Sequence, residues 1–198
     1  KDLDGTDSIG SGPWLAASMT CHPKLMAALE EAKPGMLTSS NSLGFTPLMG
    51  LCIHYEDVLE DLFTLVPRMG EADHINHSTE LGFTCHWCYP GASGMWENGE
   101  TLLDRKANIH HQDTSGRTAL HTAAMKNCPA CIQVLLENKA DINAQDKFGN
   151  TALHYAADLV TLIGHNEDSL KSEVVKSLVL ARAAVSVENA EGKTALAL

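Results

Sequence analysis

Glycine recurs along this chain at positions 10, 44, 82, 116, 149 and 192, each time three residues after a short oxygen-bearing side chain: Asp7, Asn41, Thr79, Asp113, Asp146 and Asn189. Thr follows two residues after the glycine at 46, 84, 118, 151 and 194, and fails only in the first copy. The glycine-to-glycine steps are 34, 38, 34, 33 and 43 residues. A short acceptor suits the first position of a turn and glycine its last. Chemistry and spacing that recur together therefore mean one structural unit repeated five times after a start. The extra residues lie before Gly82 and inside the fifth copy. This constrains the fold more than any other feature of the sequence.

The clearest copy runs from Asp113 to Ala144. Thr118 is placed to open a short helix with apolar positions Leu120, Ala123 and Ala124, a turn follows at Asn127, and a second helix carries Cys131, Ile132, Val134, Leu135 and Leu136 before Glu137-Asn138-Lys139 ends it. Two antiparallel helices and a turn in about thirty residues cannot bury their own apolar faces, so each unit needs neighbours. With G-R-T-A-L-H-T-A-A at 116–124, L-L-E-N-K-A-D-I-N-A at 135–144 and G-N-T-A-L-H-Y-A-A at 149–157, the chain resembles the ankyrin-repeat family. The resemblance implies an all-α repeat fold, a solenoid of helix-turn-helix units with β-hairpin fingers. It also implies a protein-binding surface and no catalysis.

In chain order the expected units are 1–39, 40–76, 77–110, 111–143, 144–186 and a partial copy at 187–198, which reads as a fragment of a longer protein because arrays end in polar caps. The first places helices at Gly12 to Ala17 and Lys24 to Glu31, with Trp14 buried where the pattern wants Leu. The second places Pro47 at the first helical position and a second helix from Asp57 to Val66, with Pro67-Arg68-Met69-Gly70 as a longer exit. The third departs from the pattern: Thr84 is followed by Cys85-His86-Trp87-Cys88-Tyr89-Pro90-Gly91, and the stretch holding Gly91, Gly94 and Gly99 reads as a loop, with a helix recovering at Thr101. The third unit is therefore the expected weak point. In the fifth, Asp158 to Lys171 reads as an elongated connection between helices, and Leu198 falls inside the first helix of a sixth copy.

Composition narrows the function. A net charge of -11 argues against a nucleic-acid surface and favours a partner protein with a basic patch. No apolar run reaches the roughly 20 residues a membrane span needs. Six irregularly spaced cysteines read as reduced thiols of a cytoplasmic or nuclear protein.

Four constellations carry candidate chemistry. His74-x2-His77 and Cys85-x2-Cys88 supply zinc-type ligands, although the turn at Thr79 to Gly82 holds the pairs apart. Cys128-x2-Cys131 has dithiol spacing without a preceding strand. His121 and His154 stand three after Thr118 and Thr151, placed to cap the helix and hold a neighbouring finger. The family resemblance further implies a target of asparaginyl hydroxylation, since Leu135, Asp141, Ile142 and Asn143 match that pattern and His110 takes the equivalent place after Leu102. Beside these, no nucleophile stands with a base and an acid, no glycine loop follows a strand, and no cofactor is expected, so the chain reads as a non-enzyme.

Within the resemblance, the groove-facing positions are those flanking each turn glycine and those just past the Ala pair. They are Leu43, Phe45, Ile53, His54, Leu81, Phe83, Ser115, Arg117, Met125, Lys126 and Phe148. Of these, Phe45 and Phe83 follow the glycine, where packing is expected to ask least. Leu43, Leu81 and Phe148 precede it, where packing on the adjacent finger competes with partner binding. Arrays with irregular insertions resemble those of Notch-type co-activators, of inhibitors of Rel-family transcription factors, and of injected bacterial effectors.

Overall fold

The computed structural model describes residues 5–8, 10–20, 22–54, 59–84, 96–163 and 173–197, with the side chains of 15–16, 19–20, 53–54, 96–98 and 159–163 outside that description. The chain divides into two compact units, Lys1–Tyr89 with Glu97–Asn108, and Pro90–Trp96 with Ile109–Leu198.

The six turns share one construction. The short side chain at the first position turns back onto the backbone: Asn41 Oδ1 accepts from the N–H groups of Leu43 and Phe45 at 3.0 and 2.9 Å, and Asp113 Oδ1 from Ser115 and Arg117 at 2.8 and 2.9 Å. Asp146 and Asn189 repeat the pair, while Asp7 and Thr79 each accept one such bond, from Ser11 and Phe83. All six glycines have positive φ, between 71° and 79°. At three of them a second reason excludes a side chain: a Cβ on Gly44, Gly116 or Gly149 would lie 2.8 to 2.9 Å from the backbone of the next turn. That approach is fixed by hydrogen bonds from turn to turn. Leu43 O accepts from Glu80 N–H at 3.3 Å, Ser115 O from Lys147 N–H at 3.0 Å, and Phe148 O from Ala190 N–H at 2.8 Å. No strand occurs among the described residues, so the expected hairpin fingers are stacked turns with one isolated antiparallel bridge, Glu188 to Thr194.

In the first unit α1 (Pro13–Thr20) packs on α3 (Pro47–His54), and α2 (Pro23–Ala32) on α4 (Leu59–Leu65). Pro47 starts α3 as expected, where its missing N–H leaves no bond unmade. The core is large and apolar: Trp14, Met26, Met49, Leu62, Phe63 and Met69 are each at most 4% exposed. The extra residues before Gly82 are absorbed by a 3-10 turn at Pro67–Gly70 and by α5 (Ala72–Ile75). α6 (Trp96–Asp104) corrects one expectation: Gly99 lies inside this helix, not in a loop. A Cβ at Gly99 would meet nothing within 4 Å, so the helix there needs glycine neither for space nor for conformation.

The second unit holds α7 (Ala119–Met125), α8 (Pro129–Glu137), α9 (Ala152–Ile163) and α10 (Glu173–Leu180). α7 packs on α8 and α9, and α10 packs on both α8 and α9. Its buried apolar residues are small or aliphatic, with Ala119, Ala123, Ala124, Ala152 and Ala156 between Leu120, Ile132, Leu135, Leu153, Val174 and Leu178. α9 runs to Ile163, so part of the expected connection from Asp158 is helical. Apolar Leu159, Val160, Leu162 and Ile163 continue the helical sequence pattern there, which explains the extension. At the far end, Thr194 begins a turn closed by a bond from Ala197 N–H to Thr194 O, where a helix was expected.

Four helices end with a left-handed residue that is not glycine: Lys106, Asn127, Lys139 and Arg182, with φ between 52° and 68°. Each makes the paired bonds of a Schellman cap, as when Lys139 N–H donates to Leu136 O and Ala140 N–H to Leu135 O.

Candidate functional site

The side chains on the turns sort in an order opposite to the sequence expectation. The large apolar ones before the glycine are open to solvent: Leu43 is 48% exposed, Leu81 60% and Phe148 60%. Those after it are half-buried, and Phe45 packs against the core of the first unit. The cause is the turn itself. The backbone carbonyls of Leu43 and Phe148 are bonded to the next turn while their side chains stay exposed, and the residue after the glycine leads directly into the helix and its core. Phe45 is thus a packing residue, and an Ala in its place would disturb the fold as well as any interface. Phe83 is likewise half-buried and makes further interactions of its own.

In the second unit, Arg117 lies across its own turn. Its Nε and Nη2 bond Asp113 Oδ2 at 2.9 and 2.8 Å, and its Nη1 approaches the Met125 sulfur at 3.8 Å. Arg117 and Met125 therefore form one half-buried surface element, with Lys126 exposed beside it at the end of α7. Tyr155 donates its O–H to Asp146 Oδ2 at 2.5 Å. Burial, and then that bond, push its phenol up to about 12. The side chains of Ile53 and His54 lie outside the described residues.

The paired histidines do what their spacing predicts. His121 Nδ1 accepts from Thr118 N–H at 2.9 Å, and its Nε2 donates to Asn150 O at 3.0 Å, on the residue after the next turn glycine. His154 repeats this with Thr151 N–H at 3.2 Å and Lys193 O at 3.1 Å. Each imidazole clasps the start of its own helix to the following turn. His121 is held below the ordinary imidazole range, mainly by burial. Both rings are fully engaged, which leaves neither nitrogen for catalysis.

Asn143 is exposed, and its Oδ1 accepts from Ala184 N–H at 2.8 Å. Sequence reasoning missed that Asn76 does the same with Asn108 N–H at 2.7 Å. The signal was present, since Asn76 and Asn143 each stand three residues before a turn opener, Thr79 and Asp146. Asn143 is thus a structural brace, and His110 is exposed on its turn.

For the zinc constellation, Cys85 and Cys88 lie outside the described residues. His74 lies half-buried in the last turn of α5, and His77 Nε2 is a buried atom without a hydrogen-bond partner among the described residues. No cluster of three or more potential ligands occurs among the described residues.

The cysteines correct the expectation of reduced thiols throughout. Cys128 and Cys131 form a disulfide, because the N-cap and third positions of α8 bring their Cα atoms to 5.4 Å. Cys52 is buried.

Turns stacked by backbone bonds, paired helices and histidine clasps define an ankyrin-type array. Residues 92–171 match the family model described as ankyrin repeats (3 copies). Residues 92–171 thus carry ankyrin repeats, and the whole chain has the ankyrin-repeat fold. Among solved structures it is similar to the ankyrin repeat domain of Bcl-3, described as a unique member of the IkappaB protein family. That similarity has a TM-score of 0.74 and 23% identity, and covers 100% of this chain and 81% of the other. Because 600 chains of solved structures match, the likeness speaks for the fold and selects no partner. No curated protein matches the chain. Repeats of this kind generally mediate protein–protein interactions and are typically non-enzymatic scaffolds. Among the described residues no helix is long and apolar enough to cross a membrane.

Proposed function

We propose that the chain is a protein-interaction scaffold that recognises its partner through the turn tips and the adjoining first-helix surface. On the first unit the apolar contacts are Leu43 and Leu81. On the second they are Phe148, with Arg117, Met125 and Lys126 alongside. One observation carries this reading. Three large apolar side chains sit at the same turn position and stand open to solvent, with the backbone carbonyls of Leu43 and Phe148 already committed to stacking. Those side chains do little for folding, and apolar anchors of this kind dominate binding energy in protein interfaces. With a net charge of -11, a partner presenting basic residues is favoured over nucleic acid, and association weakens as salt rises.

The test is a binding titration against a partner captured by the intact chain, using Leu43→Ser with Leu81→Ser and, separately, Phe148→Ser. Loss of one anchor typically costs about 2 kcal/mol, or roughly thirtyfold in Kd. The expected result is weakening of that order by at least one variant while the thermal midpoint is unchanged. Binding unaltered by both variants sinks the turn-tip assignment.

A further inference from the structure

The C-P-A-C run, Cys128-Pro129-Ala130-Cys131, takes no part in the clasp, the turn stacking or the exposed tips. Cys128 caps α8, a helix of nine residues with Pro129 in its first turn, and its sulfur accepts from Cys131 N–H at 3.3 Å. The two sulfurs are bonded to each other, and both residues are half-buried, so solvent reaches them, unlike Cys52 at 3% exposure. As a staple the bond does little, since it joins positions three apart and short loops gain least from closure. The backbone there is already pinned, with Cys128 N–H donating to Ala123 O and Ile132 N–H to Cys128 O. The site does have what thiol exchange needs. A helix N-terminus and a backbone N–H face the Cys128 sulfur, and no carboxylate stands in the first turn of α8 to oppose a thiolate.

We propose that Cys128 and Cys131 are a reversible thiol–disulfide site, in which Cys128 exchanges with small aliphatic thiols and disulfides and Cys131 resolves the mixed product. In the oxidising direction the Cys128 thiolate attacks one sulfur of a small disulfide, forming a mixed disulfide and releasing one thiolate. Cys131, giving up its proton, then attacks the Cys128 sulfur and expels the second thiolate. The chain loses two electrons, the small disulfide gains them, and the two protons of the cysteines end on the two small thiols. Reduction by the same thiols runs the steps in reverse.

The experiment uses the full chain, reduced and then exposed to glutathione disulfide, with peptide mass spectrometry as readout. In the folded, reduced protein, alkylation of Cys128 should show a pH midpoint below the ordinary thiol value of about 8.5 and run roughly threefold or more faster at neutral pH than after denaturation. Cys131→Ser should trap glutathione on Cys128, whereas Cys128→Ser should take up far less on Cys131. The wild-type alkylation profile needs no variant, so a substitution that disturbs folding leaves the test intact. An ordinary midpoint at Cys128, or equal trapping on both cysteines, overturns the assignment.

Discussion

The two units solve the same stacking problem with different chemistry. Where the second unit places a histidine three residues after its Thr, the first places Met49, and that side chain is fully buried in an apolar core with Met26, Phe63 and Met69. In the second unit small alanines let the helices approach, and His121 and His154 tie each helix start to the next turn. A position that must connect one repeat to the next can thus be filled by dispersion and burial or by directed hydrogen bonds. The first choice depends on volume and the second on protonation.

Breaking the volume-dependent half gives the largest effect. Phe63→Ala removes a ring that packs in the core and stacks under the Arg105 guanidinium at 4.7 Å, and should cost about 3–5 kcal/mol. Hydrogen exchange should show protection lost first across α2 and α4, with α8 retained. Equal loss in both would mean that the two units do not differ as described.

Next comes the protonation-dependent half. His121→Ala leaves Thr118 N–H and Asn150 O without their partner in a buried setting and should cost roughly 2–3 kcal/mol by denaturant titration. The same clasp gives a pH signature. Because burial lowers the folded value below 6.5, the unfolded chain takes up the proton first. The contribution of His121 is complete above 6.5 and is lost as pH falls below it, and that acid slope should vanish in His121→Ala. Tyr155 acts at the other end. Its raised value means stability lost as pH climbs from 10 towards about 12.

A finer comparison is internal to the second unit. Gly149 has both a positive φ and the next turn against it, whereas Gly192 has the same φ and nothing within 4 Å. Gly149→Ala should cost about 2 kcal/mol or more and Gly192→Ala about 1 kcal/mol, since only the second escapes the steric clash. Thermal midpoints of the two variants check the order. Smallest is Lys139→Gly, which relieves a left-handed residue in a Schellman cap and should raise stability by up to about 1 kcal/mol.

What could be read in the sequence follows from which features act locally. The turn opener and its glycine bond within five residues, and Thr118 with His121 within four, so fixed offsets announced both. Burial on either side of the glycine was not legible. It depends on how each side chain leaves a turn whose carbonyl is engaged by the next repeat, so that Phe45, where packing was expected to ask least, lies against the core while Leu43 is exposed. The start of α6 was hidden because glycine signals a loop by propensity, yet Gly99 sits in a helix. The Cys128 to Cys131 bond was hidden because the same spacing serves a buried pair of small residues as well as a dithiol.

The amide-to-carbonyl link between successive turns joins Leu43 to Glu80, Ser115 to Lys147 and Phe148 to Ala190, across glycine steps of 38, 33 and 43 residues. The link has the same partners whatever the length of chain between them. Repeat length is thereby released as an evolutionary variable. Segments can be gained or lost between the helices without altering the register in which one repeat templates the next, and new surface can be tried out on an unchanged thread.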